Sequence, residues 1–338
     1  MFDIVTFGSA TRDLFLRSKD FKIVKSGEFE TGEGIGLNLG SKIYLDDLFF
    51  ATGGGGTNTA ATFAYQGLKT AYVGKIGNDP GGKAIKDELK KLKIDSFATE
   101  DEEHKTGYSI ILSVSQKERT ILVYTGACHY LNKEEIPFNK LKTKWFYIAG
   151  LSGDSAEALV PIIEFAKKNN IKVALNPGAA QLKLGLSGLK EILNTVDVLL
   201  LNQEEGAKLA ELPFEQEKEI FKKLSRSLSG SRQGSGDKIV IMTKGPKGVV
   251  VSDGEYIYEA GTFQEEKYVD RTGAGDAFGS GFVSGLIKTN KIEEAIRLGT
   301  ANGTAVVEEL GAKNGLLTEK RFESEPRWKN LEINKIKL

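Results

Sequence analysis

Asp270-Arg271-Thr272-Gly273-Ala274-Gly275-Asp276 lies between the short run Tyr268-Val269 and the helix-like stretch Ala277-Phe278-Gly279-Ser280-Gly281-Phe282-Val283. Glycines at 273 and 275 let the backbone turn tightly and expose N–H groups, and the helix behind adds its positive end. Such a turn suits a highly charged phosphoryl group. Asp276, in the first helical turn, is placed to accept a proton from a hydroxyl nucleophile, late in the departure of that group. On these residues alone, a capped helix after an ordinary turn serves equally well. Gly273, Gly275 and Gly279 also have the spacing of a dinucleotide fingerprint, but that belongs after a first strand, not near the end of a chain. No Gly-x-x-x-x-Gly-Lys-Ser/Thr phosphate loop is present.

Outward from this run, two helices are expected, over 273–288 and 292–308. Strands are expected over 4–7, 71–74, 145–149, 173–175, 196–201 and 239–242, with a hairpin-like pair over 249–251 and 256–258. Gly53 to Gly56 followed by Thr57-Asn58-Thr59-Ala60-Ala61 reads as a glycine loop opening a helix that runs to Gln66, and 81–92 is a second helix. Alternating strands and helices imply an α/β fold, a mainly parallel sheet covered by helices on both faces. The segments 20–50 and 106–124 break the alternation, reading as strands and turns alone, and are expected to form a small second sheet. Residues 230–237 read as a surface loop and the charged stretch from Lys320 as a loosely docked tail.

The composition narrows the functional classes. Lys plus Arg equals Asp plus Glu at 46 each, which gives no support for a nucleic-acid binder. One cysteine, Cys128, and two histidines, His104 and His129, make a His/Cys metal site improbable and exclude an intrachain disulfide. The start Met1-Phe2-Asp3-Ile4-Val5 lacks the form of a signal peptide, and no window approaches about 18 uncharged apolar residues. A cytoplasmic protein without membrane partners is the expectation.

Asp-Arg-Thr-Gly-Ala-Gly-Asp-Ala-Phe over 270–278 resembles the C-terminal signature of the ribokinase-like (PfkB) carbohydrate kinases. Gly53 to Ala60, continuing through Gly74, Gly77, Asp79, Gly81 and Gly82, resembles their N-terminal signature. The resemblance covers residues 3 to about 315 and implies a Rossmann-like body with a β-sheet lid. The body would comprise 1–19, 51–105 and 125–320, the lid 20–50 and 106–124, and the tail 321–338.

By that resemblance Asp276 is the catalytic base, and the N–H groups of Gly273, Ala274 and Gly275 form an anion hole for the transferred phosphoryl. Asp270 and Thr272 match positions that help hold a monovalent cation such as K⁺, although the family usually has Thr where this chain has Arg271. Asp13 matches the sugar-binding aspartate, with Gly54, Gly55, Asn58 and the lid's Tyr108 completing the acceptor site. The lid elements Thr106-Gly107 and Glu118-Arg119-Thr120 would cover the acceptor. Asn202 and Glu205 resemble an Asn-x-x-Glu motif associated with Mg²⁺ and phosphates, Glu205 acting on Mg²⁺ through water; an N-capped helix with acidic first-turn residues explains the pair as well. Thr243, Gly245 and Gly248 match a loop against ATP, and Asn302 and Ala305 the region flanking adenine. The implied activity is ATP-dependent transfer to a hydroxymethyl group of a small ribose-, fructose- or ketodeoxygluconate-like sugar. An adenosine-like nucleoside kinase is the rival within the fold, and Arg12, Lys105 or Arg119 are the basic side chains available to a phosphosugar. A homodimer through the lid is the implied assembly.

Overall fold

Ile4, Val5, Thr6 and Phe7 are all fully buried, so the first strand is covered on both faces, as a central parallel strand must be. A computed structural model describes residues 1–114, 119–228 and 238–338; the turn expected over 115–119, except Arg119, and the surface loop expected over 230–237 lie outside them. The strands are β1 (Phe2–Phe7), β2 (Thr11–Arg17), β3 (Lys22–Lys25), β4 (Glu33–Gly36), β5 (Asp47–Gly53), β6 (Thr70–Gly77), β7 (Asp95–Asp101) and β8 (Gly107–Ser113). They continue as β9 (Arg119–Tyr124), β10 (Thr143–Ile148), β11 (Lys172–Leu175), β12 (Val198–Asn202), β13 (Ile239–Thr243), β14 (Val249–Ser252), β15 (Tyr256–Ala260) and β16 (Ile333–Lys337). The helices are α1 (Gly55–Tyr65), α2 (Pro80–Lys91), α3 (Leu159–Lys168), α4 (Ala179–Leu182), α5 (Gly185–Leu193), α6 (Gln203–Ala210), α7 (Glu217–Leu228), α8 (Ala274–Thr289), α9 (Ile292–Val307) and α10 (Glu319–Ser324).

Among the described residues the main sheet has the order β16-β15-β14-β13-β12-β11-β10-β1-β6-β7. From β13 to β7 every pairing is parallel, and β14, β15 and β16 extend it antiparallel. Strand alternation sorts the core into two layers. Val5, Phe7, Phe146, Ile148, Leu199 and Leu201 face α3, α5, α6 and α7. Ile4, Trp145, Tyr147, Val198 and Leu200 face Phe63 of α1, Phe278, Phe282 and Val283 of α8, and Ala295 and Ile296 of α9. The chain leaves β1 towards β6 on one side and towards β10 on the other, so the order reverses at the β1/β10 pair. Beyond the carboxyl ends of strands at such a reversal lies the crevice where open α/β sheets bind ligands.

Local chemistry marks the helices. Asp79 caps α2 by accepting from the Gly82 N–H at 2.9 Å, Pro80 opens it, and Lys90 and Lys91 lie in its last turn. Asp79 also accepts from the Thr106 N–H at 2.8 Å and the Thr106 hydroxyl at 2.7 Å, tying the start of β8 to the body.

The second sheet differs from the expectation in its membership. Its order is β5-β2-β8-β9, so Thr11–Arg17, assigned above to the body, is a central strand of the smaller sheet. From the 20–50 segment only the start of β5 reaches it, while β3 and β4 form a separate two-stranded hairpin. The stretch after Lys320 also departs from a loose tail, because β16 pairs with β15 over Ile333–Lys337. Trp328 is fully buried against Phe263, with ring centroids 5.2 Å apart, and its Nε1 donates to Glu325 at 2.8 Å. Trp328→Ala should therefore cost about 3–5 kcal/mol, read as a lower urea midpoint at unchanged m-value; an unmoved midpoint would show that this segment does not belong to the cooperative fold. No described helix is long and apolar enough to cross a membrane.

Candidate active site

The glycine run after β5 brings the N-terminus of α1 against the end of β1. Gly54 has φ +92°, and a Cβ there would fall 2.5 Å from the Ser9 carbonyl oxygen, so a side chain would push the helix out of the crevice. The first amides of α1 are held by Ser9: Gly55 N–H donates to its Oγ at 3.1 Å and Gly56 N–H to its carbonyl at 3.0 Å. α8 begins at the same crevice. Gly273 is its cap, with φ +80°, and a Cβ would lie 2.4 Å from the Ala312 Cβ.

Between these helix starts and the smaller sheet lies a cleft of about 290 Å³. Asp13 of β2, the Gly54-Gly55 turn, and Asn58 of α1 line one side. Thr272, Gly273 and Asp276 line the other. Asn58 Nδ2 donates to Asp276 Oδ2 at 2.9 Å, joining the two glycine-rich runs across 218 residues of sequence, while Asn58 Oδ1 is buried without a partner. Burial pushes the Asp276 carboxyl above the ordinary 3.8; Asn58 and the Lys313 ammonium oppose this, and the charge of Asp13 adds to it. Asp13 is raised chiefly by burial too, against hydrogen bonds from Thr11, at 2.8 Å, and Ser109.

Of the three amides expected to form the anion hole, one is otherwise engaged: Ala274 N–H donates to the Arg271 carbonyl at 3.2 Å. Gly275 and Asp276 lie in the first turn, where an α-helix supplies no acceptors for its own N–H groups. Asp270 is buried, and its Oδ1 accepts from Arg119 of β9 at 2.7 Å and from Thr272 at 3.0 Å. The smaller sheet is thus bridged to the glycine loop by an ion pair. Asp270 Oδ2 is buried without a partner, an acceptor that suits a small cation. Arg271 is exposed and donates from Nε to the Tyr268 hydroxyl at 2.9 Å, away from the cleft.

Several expected site residues are elsewhere. Tyr108 pairs across from Arg12, whereas Ser109 pairs across from Asp13. Cross-strand partners share a face, so Ser109 and Val123 enter the cleft and Tyr108 lies on the opposite face, its hydroxyl beside Gly81. Arg12 is on that opposite face as well, donating to the Ala51 carbonyl at 3.0 Å and stacking over Phe50. Asn302 is fully buried: it donates to the Ala277 carbonyl at 2.8 Å and accepts from Leu317 N–H at 2.9 Å, pinning α8 to the loop after α9. Ala305 packs with Phe263, Leu317 and Trp328. Those two residues serve the core and are not free to flank a base.

Of the residues expected against the nucleotide, Asn202 and Thr243 are paired neighbours at the carboxyl ends of β12 and β13. Asn202 and Glu205 form the capping box: Glu205 N–H donates to Asn202 Oδ1, and Asn202 N–H to Glu205 Oε2, each at 2.8 Å. Burial, and secondarily the adjacent Glu204, raises the Glu205 carboxyl. Gly245 has φ +55° with open space around it, and Gly248, φ +90°, packs on the Ala260 carbonyl. Cys128 also lines the cleft; it is buried and donates from Sγ to the Ala10 carbonyl at 3.0 Å.

The profile of pfkB family carbohydrate kinases matches residues 1–319. The chain is 30% identical to a ribokinase of Lactococcus lactis over 305 residues, 88% of this chain and 92% of that one. It is also 30% identical to a ribokinase of Haemophilus influenzae, over 79% of this chain and 85% of the relative. The crystal structure of a ribokinase from Thermotoga maritima superposes with a TM-score of 0.74 at 26% identity, covering 98% of this chain and 100% of the other.

Proposed function

The chain belongs to the pfkB family of carbohydrate kinases, and from that premise we propose that it transfers the γ-phosphoryl group of ATP to a hydroxymethyl group of a small neutral sugar. The observation that carries this reading is the pairing of Asp13 and Asp276 in one cleft whose lining, among the described residues, has neither a cationic side chain nor an aromatic ring. Asp13, with Thr11 and Ser109 around it, is suited to accept hydrogen bonds from adjacent sugar hydroxyls. Asp276 takes the proton of the attacking hydroxyl as its oxygen bonds to the γ-phosphorus and ADP departs. Free amides at the start of α8 stabilise the charge that develops on the phosphoryl oxygens.

A phosphosugar acceptor is disfavoured because Arg12 faces away and Arg119 is spent on Asp270. A nucleoside is disfavoured because no ring lines the cleft to stack a base. The nucleotide would lie across the carboxyl ends of β12 and β13, against Thr243 and the Gly245–Gly248 turn. Mg²⁺ would neutralise the phosphates; no described cluster of three acidic, His or Cys residues could hold it, so its ligands would be phosphate and water, with Glu205 in the outer shell. The partnerless Asp270 Oδ2, beside Thr272, is the position for a monovalent cation such as K⁺. Exposed Leu48, Phe50 and Leu122 on the smaller sheet are the surface for a homodimer.

The test is ADP release with ribose, fructose, 2-keto-3-deoxygluconate, adenosine and cytidine as acceptors. Turnover with at least one of the neutral sugars, at least tenfold above either nucleoside, is expected on the scale that a missing complementary contact imposes, roughly 1–3 kcal/mol. Preference for a nucleoside would replace this reading with the nucleoside kinase.

A further inference from the structure

Thr11 and Asp13 of β2 face the same side of the smaller sheet, because strand side chains alternate. Thr11 pairs across from Gly53, the last residue of β5, and from Gly107, the first of β8; Asp13 pairs across from Ala51 and Ser109. Neither glycine has a positive φ. Their backbones would admit a side chain, so the space around them is the reason for its absence. A Cβ at Gly53 would run into the carboxyl group of Asp13 before anything else: Cγ lies 2.7 Å and Oδ1 2.9 Å from that position, and Oδ2 closer still. A Cβ at Gly107 would lie 2.8 Å from the Thr125 carbonyl oxygen and 3.2 Å from Thr11 Cγ2.

The two bare positions serve one carboxylate. Gly107 leaves room for the Thr11 methyl, and the Thr11 hydroxyl donates to Asp13 Oδ1 at 2.8 Å. Gly53 leaves room for the carboxyl group itself, which occupies the place a Cβ would take. The last torsion of an aspartate is broad, so a carboxylate without lateral support has no fixed plane. Asp13 has that support: it is 3% exposed, tied through one oxygen to Thr11 and seated through the other on Gly53. A carboxylate offers about four acceptor positions, and those that Thr11 leaves are presented to the cleft in one orientation. A group already fixed in this way gives up little torsional freedom when a ligand binds.

We infer that Gly53 and Thr11 are positioning residues for acceptor binding: the bare Cα of Gly53 and the hydroxyl of Thr11 together hold the Asp13 carboxylate in the orientation that meets the sugar hydroxyls. The consequence for the acceptor rests on the phosphotransfer reading above; the seating of Asp13 does not.

The experiment is a pair of double-mutant cycles against Asp13→Ala, read as the KM for ribose or fructose, whichever the wild-type protein turns over. The obstacle to Gly53→Ala is the end of a movable side chain, so the variant should fold with the Asp13 carboxylate displaced. Its acceptor KM should rise about ten- to a hundredfold at unchanged ATP KM. Thr11→Val keeps the shape and loses the hydroxyl, and should raise the acceptor KM about three- to tenfold; Thr11→Ser keeps the hydroxyl and should raise it less. In the Asp13→Ala background neither Gly53→Ala nor Thr11→Val should add more than about twofold. Equal losses with and without Asp13, or an unmoved acceptor KM in folded Gly53→Ala protein, would overturn the inference and leave the glycine a packing feature. Should Gly53→Ala fail to fold, the Thr11 variants and their cycle decide. Crystal structures of Gly53→Ala and Thr11→Val answer without recourse to activity: an Asp13 carboxylate turned out of its wild-type plane supports the seat, and one that stays in place overturns it. If the wild-type protein phosphorylates no acceptor, the functional reading fails while those structures still decide the seating of Asp13.

Discussion

Asp276→Asn is expected to leave ATP binding largely intact and to lower turnover by about 10²–10⁴-fold, the range that a positioned general base contributes. The asparagine has the same size and can still meet Asn58, which now donates to Asp276 Oδ2 at 2.9 Å, so the packing of α1 on α8 should survive. What disappears is a basic oxygen at the first turn of α8. The pH profile gives a second readout. Burial holds the Asp276 carboxyl above the ordinary 3.8, so a base that must be ionised loses activity as pH falls through that raised value. The variant should lack this acid limb. Near-normal turnover would remove Asp276 from the role of base, and a large rise in the ATP KM would mean that it shapes the nucleotide site instead.

Asp13→Ala should act on the other substrate. A carboxylate accepting from two sugar hydroxyls makes charge-assisted bonds of about 1.5–3 kcal/mol each. After partial replacement by water, the net loss should be roughly 3 kcal/mol, or about 10²-fold in acceptor kcat/KM, mostly as a higher KM. The KM for ATP should stay as it was, because the proposed nucleotide site at the ends of β12 and β13 lies apart from β2. Thr11 and Ser109 lose their common partner in this variant, so a thermal melt must accompany the kinetics. An unchanged acceptor KM in a folded Asp13→Ala protein would remove Asp13 from sugar binding.

Arg12, Tyr108 and Ser109 show why only part of the site was legible in advance. A strand's side chains alternate between faces, and a shift of one residue exchanges every inward position for an outward one. The sequence around Thr106-Gly107-Tyr108-Ser109 has no apolar alternation strong enough to set that phase. The register of β8 on β2 sets it, and it puts Ser109, not Tyr108, beside Asp13. Asn302 failed for a different reason. An amide on the last helix has the same letter whether it meets a ligand or, as here, satisfies Ala277 and Leu317 inside the core. The segment after Lys320 gave no periodic signal, yet Trp328 in it is fully buried; one large aromatic residue can anchor a segment that patterning leaves blank.

Reading the chain alone was enough for the alternation of strands and helices, the parallel sheet and the two glycine-rich helix starts. These are encoded locally, in periodicity, in the backbone freedom of glycine and in residues adjacent to the turns they serve. Tertiary structure decided which of those pieces share a cleft and what stands behind them. It carried Thr11–Arg17 into the smaller sheet, joined Asn58 to Asp276, and placed Arg119 on Asp270 and Lys313 against Glu88. The last three of those contacts depend on strand register and on helix packing over more than a hundred residues of chain, and a buried charge reveals its purpose only through the groups that surround it.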